Sequence, residues 1–299
     1  MSVPVSLLDQ PLEPLVGWAA RELAAQGIAV CGAAEEMRRR DWTLLARIPT
    51  DIGPVWAKAS SRAFAHEGPL LQTLARLAPG SVLEPLAVHR DNGWLVSPDG
   101  GATLPEDPSE RHLIDGAAAV VRPDPDRWRG ILRSYAALQH RLSAHLGELR
   151  GAGVPVLPPG RLITVYRRFE HRAPGLGPAI ERAAAELAAF GRLSLEHNDL
   201  HPRHVFDSTT TLFDWGDALI THPFLSIRTL RDPLRAAYFD QWRAVSTVTA
   251  GEIALAECLA PLTALHPFVA LDAWPDGASD RLAPFVDTLL GQLRAALTG

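Results

Sequence analysis

Between Leu195 and Asp217 the chain reads LEHNDLHPRHVFDSTTTLFDWGD and carries two carboxylates, Asp199 and Asp214, set among turn formers and apolar pairs. Asp199 lies in the run His197-Asn198-Asp199-Leu200-His201-Pro202-Arg203-His204. Pro202 opposes a regular helix there and the density of polar groups opposes a buried strand, so the pattern predicts an ordered polar loop. Asp214 follows Leu212-Phe213, which is separated from Val205-Phe206 by the turn formers Asp207-Ser208-Thr209-Thr210. A strand-turn-strand hairpin over these residues would bring Asp199 and Asp214 to one edge. Two carboxylates with different tasks suit phosphoryl transfer from a nucleotide. One accepts or orients the proton of an acceptor hydroxyl, and the other holds a divalent ion on the phosphates.

The spacing resembles the kinase pattern of H-x-D followed, on the next strand, by D-x-G, with His197-x-Asp199 and Asp214-Trp215-Gly216 in those places. HNDLHPRHVF followed by LFDWGDA is similar to the paired signature of the aminoglycoside phosphotransferase-like kinases, H-G-D-L-H-x-x-N followed by I-D-W. The resemblance spans roughly Arg47 to Phe224. It implies an α+β, two-lobed protein-kinase-like fold, with a small antiparallel-sheet N-lobe over residues 1–97 and a mainly helical C-lobe over 98–299. It also implies an ATP-dependent phosphotransferase acting on a hydroxyl of a small molecule such as an aminoglycoside, an amino sugar or a related metabolite. ATP and Mg²⁺ are the cofactors that follow. By the same resemblance Asp199 is the catalytic base or orienting group, Asp214 a metal ligand, and Lys58 the lysine on the nucleotide phosphates. Glu67 would be the ion-pair partner of Lys58, and backbone groups near Ser97 to Asp99 would meet the adenine.

One position departs from the pattern. The Asn expected as a second metal ligand falls on His204. Mg²⁺ prefers oxygen donors, so an imidazole there weakens the second metal site or shifts it towards Mn²⁺. That departure is also the ground for the alternative, a catalytically silent nucleotide-binding relative. A different chemistry would use His197, His201 and His204 together as metal ligands, but sharing a helix face requires a helix that Pro202 opposes.

The elements that must position these groups read as follows. Leu15, Trp18, Ala19, Leu23 and Ala24 recur at helical spacing over about Leu12 to Gln26, and Gly27 stands at the stop. Trp42 to Ile48 and Val55 to Ala59 form two strands around the turn Pro49-Thr50-Asp51-Ile52-Gly53-Pro54. Lys58 ends the second of these, and a helix from Phe64 to Leu77 contains Glu67. No G-x-G-x-x-G precedes Lys58, so backbone N–H groups around Thr50 to Gly53 are the candidates to cover phosphate. Strands over Val82 to Val88 and Gly93 to Val96 lead to the turn-rich Ser97-Pro98-Asp99-Gly100-Gly101. Helices follow over Asp126 to Leu149, Pro178 to Phe190, Pro223 to Arg235, Gly251 to Leu259 and Ser279 to Leu297. His140 and His145 belong to the first of these and are expected as packing or surface residues.

Composition bounds the function. A chain of 299 residues with 47% hydrophobic residues can bury large cores. Its net charge of −5 gives no electrostatic footprint for nucleic acid and suits a cationic small substrate. Cys31 and Cys258 are too few and too far apart for a disulfide framework. With no basic leader and no run of 18 apolar residues, the expectation is a cytoplasmic protein without membrane or nucleic-acid partners. Nothing in the pattern fixes an oligomeric state.

Overall fold

The three- and four-residue spacing of Leu15, Trp18, Ala19 and Leu23 becomes the buried face of helix α1 (Glu13–Ala25). Pro14 stands in its first turn, where no N–H is needed, and Gly27 ends it with a φ of 79°. In the computed structural model of the protein, the structure describes residues 6–104, 124–225, 234–271 and 279–298. Two units emerge. One comprises Met1–Ala102, Gly151–Val154 and Phe206–Gly216, and the other Thr103–Arg150, Pro155–Val205 and Asp217–Gly299.

After α1 the first unit continues with β1 (Glu35–Arg40), β2 (Thr43–Thr50), β3 (Gly53–Ser60), α2 (Glu67–Leu77), β4 (Ala87–His89) and β5 (Trp94–Pro98). The strands form one antiparallel sheet in the order β1-β2-β3-β5-β4. Strict alternation sends Leu44 and Ile48 of β2, and Val55, Ala57 and Ala59 of β3, into one core with α1. Trp56 and Lys58 therefore point to the other face. The β2–β3 turn is tighter than the sequence suggests. Pro49 and Pro54 pair across the ladder, and Thr50 faces Gly53, which has a φ of 105°. The registers to the outer strands reach only Arg47 and Val55, so the missing proline N–H groups deprive no third strand of a partner. Strand β1, EEMRRR, has no apolar alternation to betray it; it is a mostly exposed edge whose charges protect it from further pairing.

The second unit contains α3 (Pro125–Leu142), α4 (Leu146–Gly151), α5 (Leu162–Phe169), α6 (Gly177–Ala188), β6 (Ser194–Glu196), β7 (Leu219–Thr221), α7 (Leu234–Arg243), α8 (Ala250–Ala270) and α9 (Ser279–Thr298). The helix expected over Asp126 to Leu149 is divided by a 3₁₀ turn at Ser143–His145. Helix α8 runs well past Leu259, through Pro261 and Pro267, because packing against α5, α6 and α9 outweighs two lost backbone bonds. It is long and apolar enough to cross a membrane by length and composition, yet half of its apolar window is buried inside the protein. Most of the helix expected from Pro223 lies in 226–233, outside the described residues, and α7 begins at Leu234. The short antiparallel pair β6–β7 is buried at every position.

The α1–sheet core is open to test. Leu44 is 1% exposed and packed within it, so Leu44→Ala should destabilise the protein by about 2–5 kcal/mol. Urea denaturation followed by tryptophan fluorescence should show a lower midpoint for the first unit. An unchanged midpoint would mean that α1 and the sheet do not share a core.

Candidate active site

In the first unit Lys58 lies on β3 opposite Leu45 of β2 and Leu95 of β5. Helix α2 starts at Glu67 and not at Phe64, since residues 61–66 form a turn that carries the chain off β3. The Gly68-Pro69 step is compatible with a helix because both residues fall in its first turn. Gly68 has a packing reason: a Cβ there would stand 2.9 Å from a methyl of Val88, too close to be accommodated without movement. The close approach sets Glu67 beside β3. Its Oε2 is 2.7 Å from Lys58 Nζ, and Asp214 Oδ1 accepts from the same ammonium at 2.7 Å.

The three side chains differ in exposure: Lys58 17%, Glu67 4% and Asp214 38%. Burial by itself favours a neutral amine at Lys58, but the charges of Asp214 and then Glu67 outweigh it and raise its pKa above the usual lysine range. Asp214 takes a φ of 58°, a left-handed conformation that Asp tolerates better than most residues, and at Gly216 an added Cβ would reach van der Waals contact with Phe64 and Glu67. The expected hairpin before Asp214 is a single closed turn, with Phe206 N–H donating to Thr211 C=O, and not two regular strands. Phe206 and Phe213 stack at 4.2 Å, and Gly100 lies so close to the Phe206 ring that no side chain fits there. Of the residues assigned to adenine, Ser97 lies in β5 opposite Trp56, and Asp99 uses its carboxylate to accept the Gly101 N–H at 2.9 Å.

In the second unit the polar loop leaves β6 at Glu196. His197 is fully buried, and its Nδ1 accepts the Asp199 N–H at 3.3 Å. Asn198 takes a φ of 66° and donates its side-chain amide to Thr263 C=O of α8 at 2.9 Å, which pins the loop to that helix. Pro202–His204 form a 3₁₀ turn. That turn carries His204 back so that its Nδ1 lies 2.9 Å from the Asp199 carbonyl oxygen and 3.5 Å from Asp199 Oδ2. His201 Nε2 is 3.7 Å from the same Oδ2.

Beneath the loop lies a buried polar group that the sequence pattern does not single out. Tyr135 and Gln139, one turn apart on α3, meet Glu196. Tyr135 Oη donates to Glu196 Oε1 and accepts the His197 N–H at 2.9 Å. Gln139 reaches the carbonyls of Leu195 and Pro223, and Tyr238 donates to Gln139 Oε1 at 2.6 Å. Burial, then the neighbouring Glu196 charge, raises the Tyr135 pKa well above its ordinary value, so the phenol stays a donor. A glutamine on the apolar face of a core helix, four residues after a tyrosine, is the sequence signal that could have revealed it. His140 and His145 take no part: His140 packs on Trp242, and His145 pairs with Glu148 at 3.1 Å.

The chain has the fold of known small-molecule phosphotransferases. It is similar to a choline kinase, LicA from Streptococcus pneumoniae, at a TM-score of 0.63 and 13% identity over 94% of this chain and 99% of the other. Macrolide 2'-phosphotransferase MphH from Brachybacterium faecium aligns at 0.59 and 18% identity, over 94% and 98%. Aminoglycoside 2'-phosphotransferase-IIIa, in a GDP complex, aligns at 0.57 and 16%, over 94% and 98%. No protein-family model and no curated protein sequence matches the chain.

Removing the shared cation tests the electrostatics of the first unit. Lys58→Met leaves the 4%-exposed Glu67 facing Asp214 and should cost about 3 kcal/mol, with partial recovery in Lys58→Met/Glu67→Gln. Because the folded-state pKa of Lys58 is raised, its contribution is complete below the unfolded value of about 10.4 and fades only as pH rises through the higher folded value. The gap between wild type and Lys58→Met in denaturant titrations should therefore stay constant from pH 6 to about 9. A gap that closes within that range would show that Lys58 does not carry the pair.

Proposed function

We propose that the protein is a nucleotide-dependent kinase that transfers a γ-phosphoryl group to the hydroxyl of a small molecule. The observation that carries the reading is the Lys58 ammonium held at 2.7 Å by both Glu67 and Asp214. A charged amine beside a partly open carboxylate is the donor set that a magnesium-bound phosphate fits: a cation for phosphate oxygens and a hard oxygen ligand for the metal. Bound nucleotide and Mg²⁺ would supply the transferable group and neutralise its charge. The chain's own residues do the rest. Lys58 contacts the phosphates, Glu67 keeps Lys58 oriented when Asp214 turns to the ion, and Asp199 accepts or orients the acceptor's hydroxyl proton. Mg²⁺ is assigned to Asp214, since the oxygen that would complete a second site is replaced by the His204 imidazole.

ATP is the first donor to test, with GTP beside it because one protein of the same fold is a GDP complex. The acceptor is a small hydroxylated compound of the aminoglycoside, amino-sugar or related class, which the negative net charge would attract when cationic. The test is nucleotide consumption against a panel of such compounds. Asp199→Asn should lower turnover by about 10²- to 10⁴-fold with nucleotide KM nearly unchanged. Turnover equal to wild type would remove Asp199 from the chemistry. Thermal stabilisation by Mg²⁺–nucleotide with no consumption on any acceptor would instead favour the silent nucleotide-binding reading.

A separate expectation concerns the metal. In Asp214→Ala, nucleotide affinity should become the same with and without Mg²⁺, whereas in the wild type Mg²⁺ should strengthen binding. Calorimetric titration of nucleotide in both conditions measures this. A wild type indifferent to Mg²⁺ would sink the assignment.

A further inference from the structure

Asp199, His201 and His204 bring one carboxylate and two imidazoles together, with one ligand atom from each within 4.8 Å of the others. His201 Nε2 stands 3.7 Å from Asp199 Oδ2, beyond the ~2.7–3.2 Å of a good hydrogen bond. That separation is close to the spacing of two donors that share an ion, since ligands ~2.0–2.2 Å from a tetrahedral centre stand roughly 3.3–3.6 Å apart. The geometry also selects among the loop's histidines. His197 spends its Nδ1 lone pair on the Asp199 N–H, which takes that nitrogen out of the set. His204 Nδ1 donates to the Asp199 carbonyl, which puts the lone pair on Nε2, the arrangement in which a histidine ligand is oriented by a backbone oxygen. Pro202 excludes the α-helical route to a histidine cluster, but its 3₁₀ turn provides another: it folds His204 over Asp199 beside His201, the two rings 3.8 Å apart.

We propose that Asp199, His201 and His204 form a binding site for a first-row transition-metal dication of the Zn²⁺ class, and that the bound ion withdraws Asp199 from proton acceptance. Two nitrogens and one carboxylate oxygen are a donor set that favours such ions over Mg²⁺ and leaves coordination positions open. Asp199 and His204 keep 30% and 15% of their side-chain surface exposed, which opens the cluster to an ion without unfolding the loop. The second half of the proposal rests on the kinase reading, because only there does Asp199 have a proton to accept; the first half does not. With Asp199 as a ligand, its charge is shared with the metal and its basicity falls, so Zn²⁺ acts as a reversible inhibitor.

The experiment has two arms, both on the full chain freed of metal by chelation. In the first, Co²⁺ is titrated without nucleotide and followed by visible absorption, then displaced with Zn²⁺. Wild type should take up about one equivalent with the intense bands of a low-symmetry site, and His204→Asn and His201→Asn should each bind about 10- to 100-fold more weakly. His145→Gln, which alters a surface histidine beside a carboxylate, should bind as wild type does. Asn at 204 is the residue of the resembled pattern, so that variant should fold, and matching thermal melts check it. Absence of Co²⁺ bands, or equal affinity in wild type and both Asn variants, overturns the site whatever the protein catalyses. In the second arm Zn²⁺ should slow nucleotide turnover in wild type at concentrations about 10-fold below those needed in His204→Asn, with recovery on chelation. Equal sensitivity overturns the withdrawal of Asp199. A protein that binds Co²⁺ as expected but turns over no nucleotide contradicts the kinase reading and the inhibitory consequence, while supporting the metal site.

Discussion

A single ammonium group sets the terms for the first unit. Lys58 belongs to a central strand, Glu67 to the first turn of a helix, and Asp214 to a segment more than a hundred residues downstream in sequence, and all three meet at 2.7 Å contacts. A lysine largely removed from water is tolerated only if its charge is matched, and two carboxylates here overmatch it. Asp214 is the more exposed of the two carboxylates, and Glu67 is the one held in the interior. Gly68 and the turn over residues 61–66 exist in service of this meeting, since one lets α2 approach Val88 and the other lifts the chain off β3.

The loop of the second unit solves a different problem, that of holding a polar segment rigid without regular structure. Backbone groups buried there need partners, and side chains supply them. The Tyr135 hydroxyl accepts the His197 N–H, the His197 ring accepts the Asp199 N–H, and the Asn198 amide reaches Thr263. Glu196 is fully buried, and the Tyr135 hydroxyl and the Gln139 amide both donate to it. Such a network fixes geometry more than it adds stability, because each donor is oriented by the next. The left-handed Asn198 and Asp214 fit this picture, each being a residue type that accepts the conformation at modest cost.

Much of this was readable from residue order, for identifiable reasons. Alternation in β2 and β3 placed Lys58 on the face away from α1, and the periodicity of Leu15, Trp18, Ala19 and Leu23 defined α1 nearly to the residue. Elements without such a pattern were not legible. Strand β1 is all charge and Met37, and it pairs because β2 offers an edge, which is information held by the partner. The extent of α8 was hidden by its prolines, whose local penalty is overcome by packing on several sides. Helix α2 was placed three residues early because Phe64 and Ala65 suit a helix, whereas the register is set by Gly68 against Val88. In the site, residue types marked Asp199 and Asp214, whereas Tyr135 and Gln139 left one faint mark, a glutamine on the apolar face of a core helix, and the partner it serves is set by the fold.

The substitution at position 204 shows how a donor set can change while the backbone does not. The 3₁₀ turn that begins at Pro202 fixes where a side chain at 204 must go, because His204 N–H bonds to the His201 carbonyl and Val205 N–H to that of Pro202. From this position the His204 side chain meets the Asp199 carbonyl. An amide donates its NH₂ to that carbonyl and turns an oxygen outward, a hard ligand suited to Mg²⁺. The imidazole donates Nδ1–H to the same carbonyl and has as its second heteroatom a nitrogen, a softer donor type that Mg²⁺ binds poorly. His201, already close to Asp199, stands beside the second imidazole, the two rings 3.8 Å apart, where the resembled pattern has an amide.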